Sequence, residues 1–139
     1  MVPGGRLALT IWDVPAANAA IGLFGSVANS LALTATGPTG PDPYLFCNER
    51  RTRDLLAGWD DVGLTPTRWR IHVAPGAWFD AVADSTPRSG AVLAQAGTVA
   101  RAKARQRYIE LATQLFGTPD GRVALPAAAV LISATKAAD

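Results

Sequence analysis

Residues Arg122 to Thr135 read RVALPAAAVLISAT, a run in which apolar side chains follow one another instead of alternating with polar ones. Successive side chains of a strand point to opposite faces, so a strand with one wet face alternates and one covered on both faces does not. The apolar stretch from Val123 to Ala134 contains Pro126 and falls far short of the ~18–20 residues that span a bilayer. The run is therefore predicted to be a buried strand, and a buried strand requires a sheet with helices packed on it.

The other end of the chain makes a similar demand. In MVPGGRLALTIWD, Pro3-Gly4-Gly5 is a tight-turn signal, and Leu7 to Trp12 form an apolar run of strand character. Between these two strands the spacing predicts a helix from Asp13 to about Leu31, capped by Asp13 and carrying Ala17, Ile21, Phe24, Val27 and Leu31 on one face. A Gly- and Pro-rich loop follows, TATGPTGPDPY. Asn48 then caps a second helix whose Leu55, Leu56, Trp59 and Val62 make an apolar stripe ended by Gly63.

In TPTRWRIHV, Thr67, Trp69, Ile71 and Val73 alternate with Arg68, Arg70 and His72, the pattern of a half-exposed or edge strand. Two short helical pieces, AWFDAVADS and PRSGAVLAQA, lead to a longer helix from about Thr98 to Phe116. That helix is expected to turn Val99, Ala102, Ile109, Ala112, Leu115 and Phe116 inward and Arg101, Lys103, Arg105 and Arg107 outward. The order gives an α/β fold of three strands whose first and last members are too apolar to make comfortable edges, so the sheet reads as part of a larger one.

Composition narrows the partners. The 139 residues fit one domain able to bury a core, here a single partial domain over 1–139. A formal charge of +2 with 17% charged residues gives no argument for nucleic acid or an anionic membrane as partner. The single cysteine, Cys47, excludes an intrachain disulfide and a multi-cysteine metal site, and fits a reduced, cytoplasmic setting. A signal peptide over RLALTIWDVPAANA is disfavoured because Asp13 interrupts its apolar core.

PGGRLALTIWD resembles the turn and fifth strand of class I methyltransferases that use S-adenosylmethionine. NERRTRDLLAGWDDVGLTPTRWRIHV resembles that family's helix and sixth strand, and GTPDGRVALPAAAVLISATK its hairpin into the seventh strand. The likeness covers nearly the whole chain but only the C-terminal half of the family, of the type 11-like kind. It implies a truncated Rossmann-like sheet, strands five to seven with helices on the faces, in which the seventh strand runs antiparallel between the fifth and sixth. It also implies methyl transfer to a small-molecule acceptor.

The departure from the family is as informative as the match. The cofactor is held there by a Gly-rich turn after the first strand, an acidic residue after the second and residues after the fourth, all upstream of a Pro-Gly-Gly turn. Neither Gly22–Gly25 (GLFG) nor Gly37–Gly40 (GPTG) follows a strand and opens a helix, so neither replaces that turn. S-adenosylmethionine is accordingly expected only if an N-terminal half completes the fold, with no cofactor for the isolated chain. A truncated or misplaced gene start, a split enzyme and a retained module all remain open.

Candidate site residues are weighed against plainer roles. By the resemblance, Trp12, Phe24, Trp78 and Phe79 would line the methyl-acceptor side, although core packing is the better reading of Phe24 and Phe79. His72, the only histidine, lacks an indicated partner and reads as a solvent-facing strand residue. Cys47 would be nucleophilic only with a depressed pKa, and a small apolar role is favoured. Arg101, Lys103, Arg105 and Arg107 could track phosphates but read more simply as a solvated helix face.

Two functions compete: half of a methyltransferase, inactive alone, or a non-catalytic dimerisation module. In either case Leu7 to Trp12 offer an apolar edge to a second copy or to a separate N-terminal half. A Leu9→Lys change should disturb such association unless Leu9 points into the core.

Overall fold

Arg6–Trp12 (β1), Trp59–Val73 (β2) and Val123–Lys136 (β3) form a three-stranded antiparallel sheet in the order β1-β3-β2. The computed structural model describes residues 2–34, 42 and 44–137. Its helices are α1 (Ala19–Ser30), α2 (Glu49–Leu55), α3 (Pro75–Ser85) and α4 (Pro87–Phe116), with short 3-10 turns at Pro15–Ala17 and Leu45–Cys47. The chain is thus mixed α/β, and the run that cannot alternate occupies the central strand. Leu125, Ala128 and Ile132 of β3 are completely buried.

The described residues fall into two compact units, and β2 and β3 each contribute to both. The first takes the described residues of 1–18, 40–69 and 128–139. In it β1 pairs with β3 from Arg6 opposite Thr135 to Trp12 opposite Ala129. Leu7, Leu9 and Ile11 are half-buried beside Ala134, Ile132 and Val130, whereas Arg6, Ala8, Thr10 and Trp12 are exposed. The apolar run of β1 therefore has one wet face, and among the described residues no strand pairs with its outer edge.

Asn48 caps α2 as expected, its side-chain oxygen accepting the Arg51 N–H at 3.0 Å. Thr52 is buried on α2 and donates its hydroxyl to the Phe46 carbonyl at 2.9 Å. The helix, however, stops at Leu55, not near Gly63. Gly58 takes a left-handed φ of +82°, which a side chain would strain, and β2 begins at the next residue. Asp61, between Trp59 and Val62, also adopts a left-handed φ of +51° within that strand.

The second unit takes the described residues of 19–39 and 70–127. Its core joins Leu23, Phe24 and Val27 of α1, Phe79 and Val82 of α3, and Tyr108 of α4 to Val123 and Leu125 of β3. Gly97, at φ +81°, breaks α4 into two helices at the boundary expected just before Thr98. The buried face of the second piece differs from the expected one. Ala112 is buried and Ile109 and Phe116 half-buried as expected, but the other buried positions are Ala104 and Tyr108, at fourth-residue spacing with Ala112, while Val99 is 70% and Leu115 54% exposed. Arg101 and Arg105 reach Asp84 and Asp80 on α3 at 2.7 and 3.1 Å, so the basic residues orient the helix as well as solvate it.

Candidate functional site

The first unit concentrates its polar and aromatic chemistry where β1 ends. The Trp12 and Trp69 rings stack with centroids 5.8 Å apart and planes 30° apart. Trp12 lies opposite Ala129 of the intervening strand, whose methyl group leaves room for two indoles to meet above it. Trp12 is 44% exposed, Trp69 41% and Leu131 40%, so this sheet face offers water an aromatic and aliphatic surface.

Beneath that face the turn after β1 is tightly bonded. The Ala128 carbonyl accepts both the Asp13 N–H and the side-chain amide N–H of Asn18, each at 3.0 Å. Asn18 is completely buried, and its side-chain oxygen has no hydrogen-bond partner. The Cys47 thiol donates to the Trp12 carbonyl at 3.3 Å. Burial first, then the carboxylates of Asp13 and Asp42, raise the Cys47 pKa above that of a free thiol. A thiol held protonated is a poor nucleophile, which supports the inert role for Cys47.

Phe24, Trp78 and Phe79 belong to the second unit, and Trp12 to the first. Phe24 and Phe79 stack at 5.3 Å, and Phe79 meets Tyr108 at 5.6 Å with the planes tilted by 54°. Both phenylalanines are buried in the core. The Trp78 indole N–H donates to the Ala20 carbonyl at 2.7 Å, tying α3 to the start of α1. Sequence spacing did not single out Tyr108, which is 1% exposed with a hydroxyl that has no partner. Its burial comes from packing against residues of other elements in the core cluster, Phe79 among them, which spacing along one helix does not show.

The remaining candidates find plain roles. His72 is exposed on β2. Arg101, Arg105 and Arg107 are each paired with a carboxylate, the last with Glu110 at 3.6 Å. Such exposed pairs contribute little to stability, and they leave only Lys103 of the four for a ligand. No group of three or more His, Cys, Asp or Glu gathers among the described residues.

A nucleotide-like cofactor needs a strand that turns through glycine into a helix N-terminus. After β1 the turn is Asp13-Val14-Pro15, without glycine, and Gly22 and Gly25 lie inside α1. The other GPTG segment lies outside the described residues. After β2 the turn is Ala74-Pro75-Gly76, but its close approach is already taken: a Cβ on Gly76 would sit 2.5 Å from the Arg105 guanidinium. Among the described residues no helix is long and apolar enough to cross a membrane. Compared with known proteins, the chain matches no family model and no curated protein.

Proposed function

We propose that the chain is the C-terminal, acceptor-side part of a class I S-adenosylmethionine-dependent methyltransferase fold, acting on a small molecule and inactive alone. One observation carries the reading: the last strand, β3, lies between β1 and β2 and runs antiparallel to β1. Sequential strands normally end up as neighbours, so the return of the last strand to the middle is a topological choice rather than a default. It is the placement that the resemblance implies for strands five, seven and six. The residues that would hold the cofactor lie outside this chain's described turns, and no catalytic step is assigned to it.

Calorimetric titration of S-adenosylmethionine tests the reading. The chain alone is expected to give no saturable heat at millimolar ligand. A chimera carrying the cofactor-binding half of a class I methyltransferase upstream of Pro3 is expected to fold and to bind saturably. Saturable binding by the chain alone, or a chimera in which the two halves fold without binding, would reject it.

A second reading, a non-catalytic interaction module, is favoured by the open outer edge of β1 beside the exposed Trp12.

A further inference from the structure

The backbone register of β1 determines which of its groups are unpaired. The Gly5 carbonyl accepts the Lys136 N–H at 2.8 Å, and the Asp13 N–H donates to the Ala128 carbonyl at 3.0 Å. Both bonds join residues that lie directly opposite in the β1–β3 register. In an antiparallel pair, bonded and non-bonded positions alternate, so Leu7, Leu9 and Ile11 also turn their N–H and C=O groups toward β3. Arg6, Ala8, Thr10 and Trp12 turn theirs outward. The Cys47 thiol bond to the Trp12 carbonyl fits this phase, since only an outward carbonyl is reachable from that side.

We propose that this edge pairs antiparallel with the β1 of a second copy of the chain, centred on Ala8. Two chemical facts select the partner and the register. First, Cys47 already occupies the Trp12 carbonyl, which shifts pairing toward the groups of Arg6, Ala8 and Thr10 that have no partner among the described residues. Centring on Ala8 places Ala8 opposite its own counterpart and Arg6 opposite Thr10 of the second copy, so every outward group from Arg6 to Thr10 is matched. Second, the same register puts the Arg6 guanidinium diagonally beside the exposed Trp12 indole of the second copy, within reach of a long side chain. A cation over that electron-rich face is attracted to it, and the two-fold axis makes the contact twice.

Apart from the exposed Arg6, the strand carries no charge, and it contains no Pro, no Lys and no charged residue on its inner face. With only +2 per chain, copies repel weakly. The inference deepens the interaction-module reading and rests on it, independently of the methyltransferase proposal.

The register also corrects the mutation that first suggests itself. Leu9 shares the half-buried face with Ile132, so Leu9→Lys would injure folding and say nothing about association. Thr10→Pro removes an outward N–H and leaves the β3 ladder intact. Ala8→Lys puts like charges opposite each other across the two-fold axis.

Sedimentation velocity on the full chain from micromolar to millimolar concentration is expected to show a monomer–dimer equilibrium. Each substitution should raise the dimer Kd about tenfold or more while the far-ultraviolet circular dichroism is unchanged. An equimolar mixture of Ala8→Lys with Ala8→Glu should recover dimer that neither forms alone. A wild-type monomer throughout, or a Thr10→Pro chain that associates like wild type, overturns the proposal. Amide hydrogen exchange separates the two failures. Fast exchange at Ala8 and Thr10 in a monomer leaves a free edge and sinks only self-pairing, whereas protected amides in a monomer sink the interaction-module reading as well.

Discussion

Truncating Phe79 to alanine is expected to cost about 3–5 kcal/mol of folding stability, the range for deleting a large buried side chain. Phe79 has no exposed surface, and it is the middle ring of the series Phe24, Phe79 and Tyr108. Its loss removes both ring contacts and leaves a cavity walled by α1, α3 and α4. Domains of this size are typically stable by only ~5–15 kcal/mol, so the variant should sit near the edge of unfolding at room temperature. Equilibrium urea unfolding measures the effect as a fall in midpoint. A midpoint close to wild type would mean that the aromatic series does not hold the second unit together.

Tyr108 should respond in the opposite direction. Its ring is well packed, but its hydroxyl is buried without a partner, and an unsatisfied buried polar group costs ~1–3 kcal/mol. Tyr108→Phe removes that group and keeps the ring, so it is expected to stabilise the chain by about 1 kcal/mol or more. The same burial raises the phenol pKa well above its ordinary value. A group whose pKa is raised by folding contributes stability that is fully present below its unfolded pKa and lost at higher pH. Wild-type stability should therefore decline progressively above about pH 10, the pKa of an unfolded tyrosine, and Tyr108→Phe should remove that part of the decline. Urea midpoints of both chains at neutral and alkaline pH test both statements, and parallel curves would refute the second.

Much of the fold was legible because strands and helix breaks have local causes. The continuous apolar run at Arg122–Thr135 placed β3 inside the sheet, and the alternation of Trp69, Ile71 and Val73 with charged residues placed β2 at its edge. Glycine marked the division of α4 at Gly97. What failed depended on partners distant in sequence. The spacing of Leu55, Leu56, Trp59 and Val62 is helical on paper, but Gly58 and Asp61 take left-handed conformations there and the chain continues as a strand. Asp tolerates that conformation better than most side chains, but tolerance alone does not mark the position that adopts it.

The helix face was misjudged for a related reason. Val99 and Leu115 are more apolar than Ala104, yet the alanine is buried and the larger residues exposed. Small side chains let α4 lie close to its neighbours, with Arg101 and Arg105 paired to Asp84 and Asp80 of α3 at the exposed rim. Of the four aromatic candidates, the sequence favoured core packing for Phe24 and Phe79, which are buried, but gave no sign of the Trp78 indole bond to the Ala20 carbonyl. That bond joins helices far apart along the chain.

The Trp12–Trp69 stack over Ala129 has an optical consequence. Two indoles 5.8 Å apart have coupled electronic transitions, and a fixed angle of 30° between their planes makes the coupling chiral. The first unit thus carries an intrinsic chromophore pair, whose circular-dichroism couplet reports the spacing of β1 and β2 across β3 without any attached label.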